Sequence, residues 1–589
     1  MIGCWWRVAL IISGCAVVGG HVVHAQTFVS LHESAHLRRP VAAAIVGEGR
    51  LLCVANQRSG TLSIVDLEQK EVTAEYKVGD RMSDVVAWDE QDCLLLTDES
   101  AHELLVVQLS GQGIDVSQRL STSRSPVSVA VSEDGRLISV ACLWSHRLSL
   151  FDASDAGQLT LRETIKLPFA VREQAFLRDG SHRLVVADAF GGNIVFIDGE
   201  ESEVVAIRTL PAHNLRGIAT TEDGERLLIA HQTLSSLARA DYNDVIWGNL
   251  MQNVVRELPV KSLIKDEGEW LNDSRVIRLG EAGAGAADPT GVTVLPNGRG
   301  TLIALAGVDE ISIQTDRSSD RIDVGDRPVA IVWDELREVA YVVCSLDDSI
   351  VIVDVDNGEA IDRLSLGPKP VESPGDRGEK LFYDGHQSLD GWLSCHSCHP
   401  DGHTNHDLAD TLGDDSFDTP KKVPSLLGVR DANPWAWNGK FRELHEQVRS
   451  SFIGTMRGEG IHAHEINDVV SFLHTLNPPP SVDAGEWTED DLTQIEQGRR
   501  LFASLDCQRC HVPPLTYTLD MTFDVGLEDE AGLGRFNPPS LRGVGQRKSF
   551  FHDGRAKSLE DVFLEYGHQL QEQLPKADLQ SLLAFLRSL

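Results

Sequence analysis

Short runs of alternating apolar and polar residues recur along the first 370 residues of the chain. The segment PVAAAIVGEGRLLCVANQRSGTLSIVDLEQKEV returns as PVSVAVSEDGRLISVACLWSHRLSLFDASDAGQL and again as PVAIVWDELREVAYVVCSLDDSIVIVDVDNGEAI. Each copy holds three to four strand-like runs separated by turns such as EDGR. Seven such units begin near Pro40, Ser83, Pro126, Val171, Leu215, Pro289 and Pro328. A repeat of about 40 to 45 residues with four strands is typical of a propeller blade, so the pattern predicts an all-β, seven-bladed β-propeller.

The predicted propeller covers residues 27–370, and its units resemble the YVTN family of β-propeller repeats. The fifth unit carries an insertion at about residues 238–285, which is richer in glycine and polar residues. We expect the segment TFVSL, which begins at Thr27, to supply the outermost strand of the last blade and so to close the ring. Histidines are scattered over the units without a repeated spacing. We therefore expect the propeller to be a scaffold or a docking surface for a protein partner.

A linker rich in proline and glycine, GPKPVESPGD, ends the strand pattern, and helix-like patterns follow it. The segment VPSLLGVRDANPWAWNGKFRELHEQV matches PPSLRGVGQRKSFFHDGRAKSLEDVF without a gap, at a constant offset of 115 residues. The segments GEKLF and GRRLF precede the two copies, and the amphipathic patterns INDVVSFLHTL and LQSLLAFLRSL follow them. The sequence therefore predicts two all-α domains of one kind, over residues 376–480 and 488–589.

Each predicted helical domain contains the motif C-x-x-C-H, at Cys395–His399 and at Cys507–His511. Two thioether bonds to cysteines and an adjacent histidine under the iron are the chemistry of c-type haem. A closed zinc site needs four ligands in tetrahedral geometry, and a redox dithiol does not need the histidine. The motifs therefore predict two covalently attached haem c groups. Their binding residues are Cys395, Cys398, Cys507 and Cys510, with His399 and His511 as iron ligands.

The charge of the chain limits its partners, and its N-terminus predicts its location. Lys and Arg number 53 against 89 Asp and Glu, so the formal net charge of −36 disfavours nucleic acid and anionic membranes. Residues 1–25 combine one basic residue, an apolar run and a small residue at the expected cleavage site, which predicts a signal peptide. The stretch ISGC leaves a lipid anchor at Cys15 as an alternative. No other segment is apolar and long enough to span a bilayer, so we expect a periplasmic or secreted bacterial protein.

The two helical domains together resemble the bacterial di-haem cytochrome c peroxidase family, which includes the MauG-like enzymes of methylamine utilisation. The resemblance rests on GEKLFYD, LSCHSCH, WNGKFRELHEQV, CQRCH, PSLRGV and FFHDGRAKSLEDVFLEYG. It implies that electrons pass from a donor protein or a small reductant through the second haem to hydrogen peroxide, or to an oxidised substrate, at the first haem. It further implies that Trp437 lies between the haems and that Tyr566 is the second axial ligand of the second haem, with His568 as the alternative.

The first haem site departs from the family pattern in its distal residues. The position of the family's distal histidine falls near Asp415, while His403 and His406 lie earlier in the chain. The catalytic acid of the family is matched by Glu459 only after a shift. The calcium site of the family is not supported, because QRKSFF supplies no matching ligand.

Met456 supports a second interpretation of the first haem. It follows His399 by 57 residues, a spacing that is typical of the methionine ligand in a simple cytochrome c. With Met456 on the iron, peroxide would have no free position to bind. The protein would then be a non-enzymatic di-haem electron-transfer cytochrome, with the propeller as the docking module for its partner.

Overall fold

The computed structural model of the chain describes residues 30–88, 92–110, 113–266, 268–315 and 317–589. The predicted signal peptide and Cys15 lie outside these ranges. Within them, no helix has the length and apolar character needed to cross a membrane.

The described part of the chain up to Ser365 forms seven four-stranded antiparallel sheets, each built from four consecutive strands. Blades 1 and 2 contain β1 Pro40–Val46, β2 Leu51–Asn56, β3 Thr61–Asp66, β4 Glu71–Lys77, β5 Met82–Ala87, β6 Cys93–Asp98, β7 Glu103–Ser110 and β8 Gly113–Ser121. Blades 3 and 4 contain β9 Pro126–Val131, β10 Leu137–Cys142, β11 Arg147–Ala153, β12 Leu159–Lys166, β13 Val171–Phe176, β14 Arg183–Asp188, β15 Asn193–Asp198 and β16 Glu203–Thr209. Blades 5 to 7 contain β17 His213–Thr220, β18 Arg226–Leu234, β19 Met251–Pro259, β20 Arg275–Arg278, β21 Pro289–Leu295, β22 Gly300–Leu305, β23 Glu310–Gln314, β24 Ser319–Asp323, β25 Pro328–Asp334, β26 Val339–Cys344, β27 Ser349–Asp354 and β28 Glu359–Ser365.

The blades form a closed ring, which confirms the predicted seven-bladed propeller. The first strand of each blade packs against the first strand of the next, and β25 of blade 7 packs against β1 of blade 1. The inner strands are buried on both faces: all six residues of β3 are buried, for example. This burial explains why the central strands read as almost continuous apolar runs rather than as strict alternation.

Residues 27–29 of the segment expected to close the ring lie outside the described residues, so its role in closing the ring stays a prediction. All four strands of blade 7 come from residues 328–365. The described end of the segment lies instead on blade 1, where the Leu31 amide donates to the Glu75 carbonyl at 2.7 Å and the Glu75 amide to Ser30 Oγ at 3.0 Å. The Arg38 side chain pairs with Glu75 at 2.7 Å, and its amide donates to Asp348 of blade 7 at 3.0 Å. Residues 30–39 thus contact both the first and the last blade.

The insertion predicted in the fifth unit is divided in two by the strands β19 and β20. Its first part is residues 235–250, which contain helix α1 (Tyr242–Ile246), and its second part is residues 260–274. The first part, here called the arm, packs into the apolar core of the helical region. There the indole nitrogen of Trp392 donates to the Ile246 carbonyl at 3.0 Å.

Two helical domains follow the propeller, as the sequence predicts. Their helices are α2 Pro374–Tyr383, α3 Cys395–Cys398, α4 Leu444–Ser450, α5 Ala463–Leu473, α6 Glu489–Ser504, α7 Leu559–Leu564 and α8 Lys576–Ser588. In each domain a helix near the start crosses the closing helix, α2 with α5 and α6 with α8. Gly378 and Gly498 lie at the two crossings, where a Cβ atom would come within 1.9 Å of the Asp468 carbonyl oxygen and 1.8 Å of the Ser581 carbonyl oxygen. Only glycine allows the helices to approach so closely, so both domains depend on a glycine at the helix crossing.

The helical domains pack on each other through reciprocal backbone contacts. The Asn537 amide donates to the Trp437 carbonyl at 2.8 Å, and the Lys422 amide donates to the His552 carbonyl at 2.6 Å. Trp437 corresponds to His552, and Lys422 to Asn537, at the offset of 115 residues found in the sequence. Each domain also has a two-residue ladder near this contact, β29 Leu408–Ala409 with β30 Lys421–Lys422 and β31 Phe523–Asp524 with β32 Arg535–Phe536. The reciprocity indicates an approximate two-fold relation between the domains.

Candidate functional site

A cavity of about 320 Å³ lies in the first helical domain, and both motif cysteines and His399 line it. This volume falls within the range of about 300–1,000 Å³ that is usual for ligand pockets. Most of the wall is apolar, with Phe382, Leu393, Phe452 and Leu473 among its residues. Four residues of the second domain complete one side: Asn537, Pro539, Ser540 and Arg547. The cavity is therefore formed where the two domains meet.

The first C-x-x-C-H motif is presented by the short helix α3. Ser394 is the N-cap residue of this helix, and its backbone N–H donates to Ser397 Oγ at 2.9 Å. Cys395 and Cys398 form no disulfide. Burial raises the pKa of both thiols to about 12, so both are neutral in the apolar cavity. Two free thiols on one helical turn, facing the same cavity, fit the attachment of a haem by two thioether bonds.

His399 follows α3 in a conformation that fits an axial iron ligand. Its Nδ1 donates to the Pro424 carbonyl at 2.9 Å. This bond fixes the tautomer and leaves the lone pair of Nε2 free to bind a metal. Burial lowers the pKa of His399 to about 4, so the ring is neutral.

The second motif repeats this arrangement on a more open surface. The Nδ1 of His511 donates to the Tyr517 carbonyl at 3.0 Å, and burial lowers its pKa to about 4. Cys507 and Cys510 are half-buried and form no disulfide, while Gln508 and Arg509 between them are exposed. His511 and the two cysteines therefore fit a second covalently bound haem.

The two candidate distal ligands of the second haem differ in their contacts. The Tyr566 hydroxyl donates to the Arg555 carbonyl at 3.3 Å, and its ring lies edge-on to Phe551 at 5.4 Å. His568 lies 5.5 Å from the same phenylalanine ring. The charge of His568 lowers the pKa of His511, after the larger effect of burial. The Tyr566 hydroxyl is engaged by a backbone carbonyl, and the expectation that Tyr566 or His568 is the second axial ligand stays a prediction.

Three residues were expected around the first haem, and two of them line the cavity. Met456 is 2% exposed and lines the cavity. Trp437 also lines it, and its indole nitrogen donates to the Lys422 carbonyl at 2.8 Å. Glu459 is exposed in the loop after the π-helical turn Ser451–Thr455 and is not part of the cavity wall.

The alternative distal histidines lie at the propeller rather than at the cavity. The His403 ring contacts Phe190 of the propeller at 4.6 Å, and its Nδ1 is 2.9 Å from Ser425 Oγ. His406 stands 5.7 Å from the His403 ring. Neither histidine belongs to the cavity wall.

Gln447 is a cavity residue that the sequence did not single out. Its Oε1 is buried and has no hydrogen-bond partner in the described part of the chain, while its amide nitrogen donates to Ser451 Oγ at 3.3 Å. It lies on α4, in the segment that leads to Met456, and both line the cavity. A buried amide oxygen without a partner indicates a bound polar molecule or water. In the sequence, Gln447 lies in the segment WNGKFRELHEQV, but no spacing distinguishes it from the neighbouring residues of that segment.

Two cationic side chains of the cavity wall, Lys422 and Arg547, donate to backbone carbonyls, Lys422 to that of Ser549 and Arg547 to that of Ser540 at 2.7 Å. Neither is paired with a carboxylate among the described residues. Burial lowers the pKa of Lys422 to about 7 and that of Arg547 to about 10. A haem carries two propionate groups, whose negative charges would compensate these two cations. The charged residues of the wall therefore fit the same group as the cysteines and His399.

Comparison with known proteins identifies relatives of this region. Residues 376–475 match the family model described as di-haem cytochrome c peroxidase. This part of the C-terminal region is thus similar to that family. Cytochrome c551 peroxidase of Nitrosomonas europaea is 25% identical over 265 residues, which are 36% of this chain and 78% of that protein. The methylamine utilization protein MauG of Methylorubrum extorquens is 23% identical over 237 residues, which are 32% of this chain and 67% of that protein.

Solved structures also resemble parts of the chain. Hydrazine synthase of Kuenenia stuttgartiensis aligns with a TM-score of 0.47 and 18% identity, over 58% of this chain and 99% of that chain. Virginiamycin B lyase from Staphylococcus aureus aligns with a TM-score of 0.40 and 13% identity, over 54% of this chain and 95% of that chain. The cytochrome c peroxidase and MauG relatives support haem as the cofactor and oxidoreductase chemistry as the kind of function.

Proposed function

We propose that the chain is an exported di-haem c-type oxidoreductase, which passes electrons from a donor through the second haem to hydrogen peroxide at the first. The donor is a redox protein or a small reductant. The overall reaction takes two electrons and two protons to each peroxide molecule and releases two water molecules. Cys395 and Cys398 hold the first haem and Cys507 and Cys510 the second, with His399 and His511 as iron ligands.

The unpartnered oxygen of Gln447 is the observation that favours peroxide chemistry at the first site. A bound haem would supply one-electron exchange at iron and, with an open axial position, cleavage of the peroxide O–O bond. Gln447 would accept a hydrogen bond from the peroxide O–H and so orient it within the cavity. Because Glu459 lies outside the cavity wall, we do not assign proton transfer to it.

The electron path is proposed to cross the contact between the two helical domains. Trp437 lines the first cavity, and its carbonyl accepts the hydrogen bond from Asn537 of the second domain. Its indole is fixed by the Lys422 carbonyl at 2.8 Å. An ordered aromatic ring at this position shortens the distance that an electron must cross between the two sites.

A second candidate function is electron transfer without peroxide chemistry. Its support is Met456, which is buried and shares the cavity with His399. If the thioether of Met456 binds the iron, the first site is closed to peroxide. The propeller would then be the docking module for a partner protein.

Steady-state peroxide reduction by the haem-loaded protein tests the proposal. We expect the wild-type protein to contain two covalent haems, measured as pyridine haemochromes, and to oxidise a reduced donor in proportion to added peroxide. Gln447→Leu should lower kcat/KM for peroxide about tenfold, since one net hydrogen bond is worth about 0.5–1.5 kcal/mol.

Gln118→Leu is the matched control, because Gln118 makes comparable amide hydrogen bonds between blades 2 and 3 of the propeller. It should leave peroxide kinetics unchanged. A protein that carries both haems but reduces no peroxide would support the electron carrier instead.

A further inference from the structure

The propeller holds the haem-attachment loop of the first helical domain directly. Asp288, which immediately precedes β21 of blade 6, accepts a hydrogen bond from Ser394 Oγ at 2.5 Å and one from Ser397 Oγ at 2.6 Å. These serines adjoin Cys395 and Cys398 in the sequence. The three side chains are almost completely buried, with exposures of 2% for Asp288, 1% for Ser394 and 0% for Ser397.

Further bonds from blade 5 and the segment before blade 6 fix the same loop. His213 Nε2 donates to the Ser397 carbonyl at 2.9 Å, and the Asn253 side chain donates to the Trp392 carbonyl at 2.9 Å. The Gly285 amide donates to the Asp390 carbonyl at 2.7 Å. The propeller thus binds the loop at its backbone as well as at its serines.

Two arginines of the propeller hold the chain just after the motif. Arg172 and Arg216 both pair with Asp401, at 2.8 Å and 2.7 Å. Together with Asp288, these contacts fix the loop on both sides of the cysteines.

The second motif shows that this support is not needed to form a C-x-x-C-H turn. Cys507–Arg509 makes a comparable turn, and His511 makes the same kind of bond to a backbone carbonyl. Yet Gln508 and Arg509 are exposed, whereas the corresponding His396 and Ser397 are buried. The contact with the propeller is therefore specific to the first site.

We propose that blade 6 of the propeller is a wall of the first haem site and that Asp288 is its positioning residue. This inference rests on the proposed attachment of a haem to Cys395 and Cys398. The propeller closes the attachment edge of the first haem to solvent and to protein-sized donors, and leaves the second motif as the site that a donor can approach. Burial raises the pKa of Asp288, while the hydrogen bonds from Ser394 and Ser397 and the charge of Arg327 oppose this rise. When ionised, this carboxylate would place negative charge beside a haem bound to Cys395 and Cys398, which would stabilise oxidised iron and lower the reduction potential.

Asp288→Asn tests the proposal, and Asp348→Asn is its matched control. Both aspartates lie in the left-handed region, with φ of 55° and 49°, where asparagine is well tolerated. Asp348 is 1% exposed and accepts from the Arg38 and Arg39 amides, so its loss perturbs the propeller away from the attachment loop. The measurement is a spectroelectrochemical titration of the haem-loaded protein. The variant Cys507→Ala with Cys510→Ala, which should lack the second haem, identifies the potential of the first.

We expect Asp288→Asn to shift the potential of the first haem upward and to leave the second unchanged, while Asp348→Asn shifts neither. Unchanged potentials in a folded Asp288→Asn protein with two haems would overturn the proposal. Should that variant not fold, hydrogen exchange of the wild-type protein decides: amides of residues 394–399 should exchange more slowly than those of residues 506–511, and equal rates would overturn it. Absence of peroxide turnover in the wild-type protein, together with the expected potential shift in Asp288→Asn, would count against the proposed function alone, since the potential does not depend on turnover.

Discussion

At the scale of single residues, the two motif histidines have equivalent environments that the sequence could not specify. The motif predicted His399 and His511 as ligands, but the carbonyls that orient them belong to Pro424 and Tyr517, 25 and 6 residues further along the chain. A hydrogen bond of this kind depends on how the loop folds back, and no local pattern encodes it. Gln447 was missed for the same reason, because its importance lies in an unpartnered oxygen that only the folded cavity reveals.

Met456 gives a prediction at this scale. Under the proposed peroxide function its side chain only packs, so Met456→Leu should leave the spin state of the first haem unchanged and lower the free energy of unfolding by less than about 1.5 kcal/mol. Electron paramagnetic resonance and chemical denaturation measure the two effects. Met82→Leu is the control for packing, since Met82 is fully buried in β5 of the propeller. A change from low spin to high spin in Met456→Leu alone would identify Met456 as a ligand.

At the scale of secondary-structure elements, the sequence was most informative where it repeats. The starts predicted for the seven units lie within two residues of the first strands of the blades, because each blade carries the same alternation and turns. The bounds predicted for the insertion of the fifth unit differ from the structure, because β19 and β20 lie within them and the arm is only the first part of the insertion. The arm packs on another domain, and this burial comes from tertiary contact rather than from a period in the chain.

The helix crossings give a prediction at this scale. Gly498→Ala would place a Cβ atom 1.8 Å from the Ser581 carbonyl oxygen, so α6 and α8 would have to move apart. We expect a loss of about 3 kcal/mol or more in the free energy of unfolding of the second domain.

Gly375→Ala in α2 is the control for the glycine substitution. The nearest atom to a Cβ at this position is 3.8 Å away, so alanine should be neutral or stabilise by up to about 1 kcal/mol. Denaturation followed by the haem absorbance of each domain measures both variants. Equal stability of Gly498→Ala and the wild-type protein would contradict the described crossing.

At the scale of the whole molecule, the propeller and both helical domains form one contact network. Arg39 of blade 1 pairs with Glu379 of the first helical domain at 2.9 Å. Lys548 of the second domain pairs with Asp188 of blade 4. The sequence predicted the three domains but left the propeller as a scaffold or partner-docking surface. Its contacts with the haem-attachment loop could not be predicted, because Asp288 and Ser397 are 109 positions apart in the chain.

The contact between propeller and second helical domain predicts a dependence of stability on pH. His146 bonds to Gln546 at 2.7 Å. Burial lowers the pKa of His146 to about 4, and the charges of Lys548 and Lys166 lower it further. The bond to Gln546 and the charge of Asp188 oppose this decrease in the pKa. The unfolded chain therefore binds more protons between pH 6.5 and 4. The free energy of unfolding should rise with pH across this range, by about 3 kcal/mol from His146.

Chemical denaturation at pH 7 and pH 4.5 of the wild-type protein and of His146→Gln measures this contribution. The variant should lose part of the pH dependence. His231 is fully buried inside blade 5, with a pKa lowered to about 3, chiefly by burial, and provides the comparison away from the domain contact. An unchanged pH dependence in His146→Gln, with His231→Gln reducing it, would contradict the role assigned to this contact.

Low-temperature electron paramagnetic resonance of the ferric, haem-loaded protein, before and after addition of hydrogen peroxide, tests the central claim most directly. The account predicts one high-spin signal from the first haem that disappears with peroxide, together with one low-spin signal from the second. Two low-spin signals that do not respond to peroxide, in both the oxidised and the half-reduced protein, would contradict it and would assign the protein to electron transfer alone.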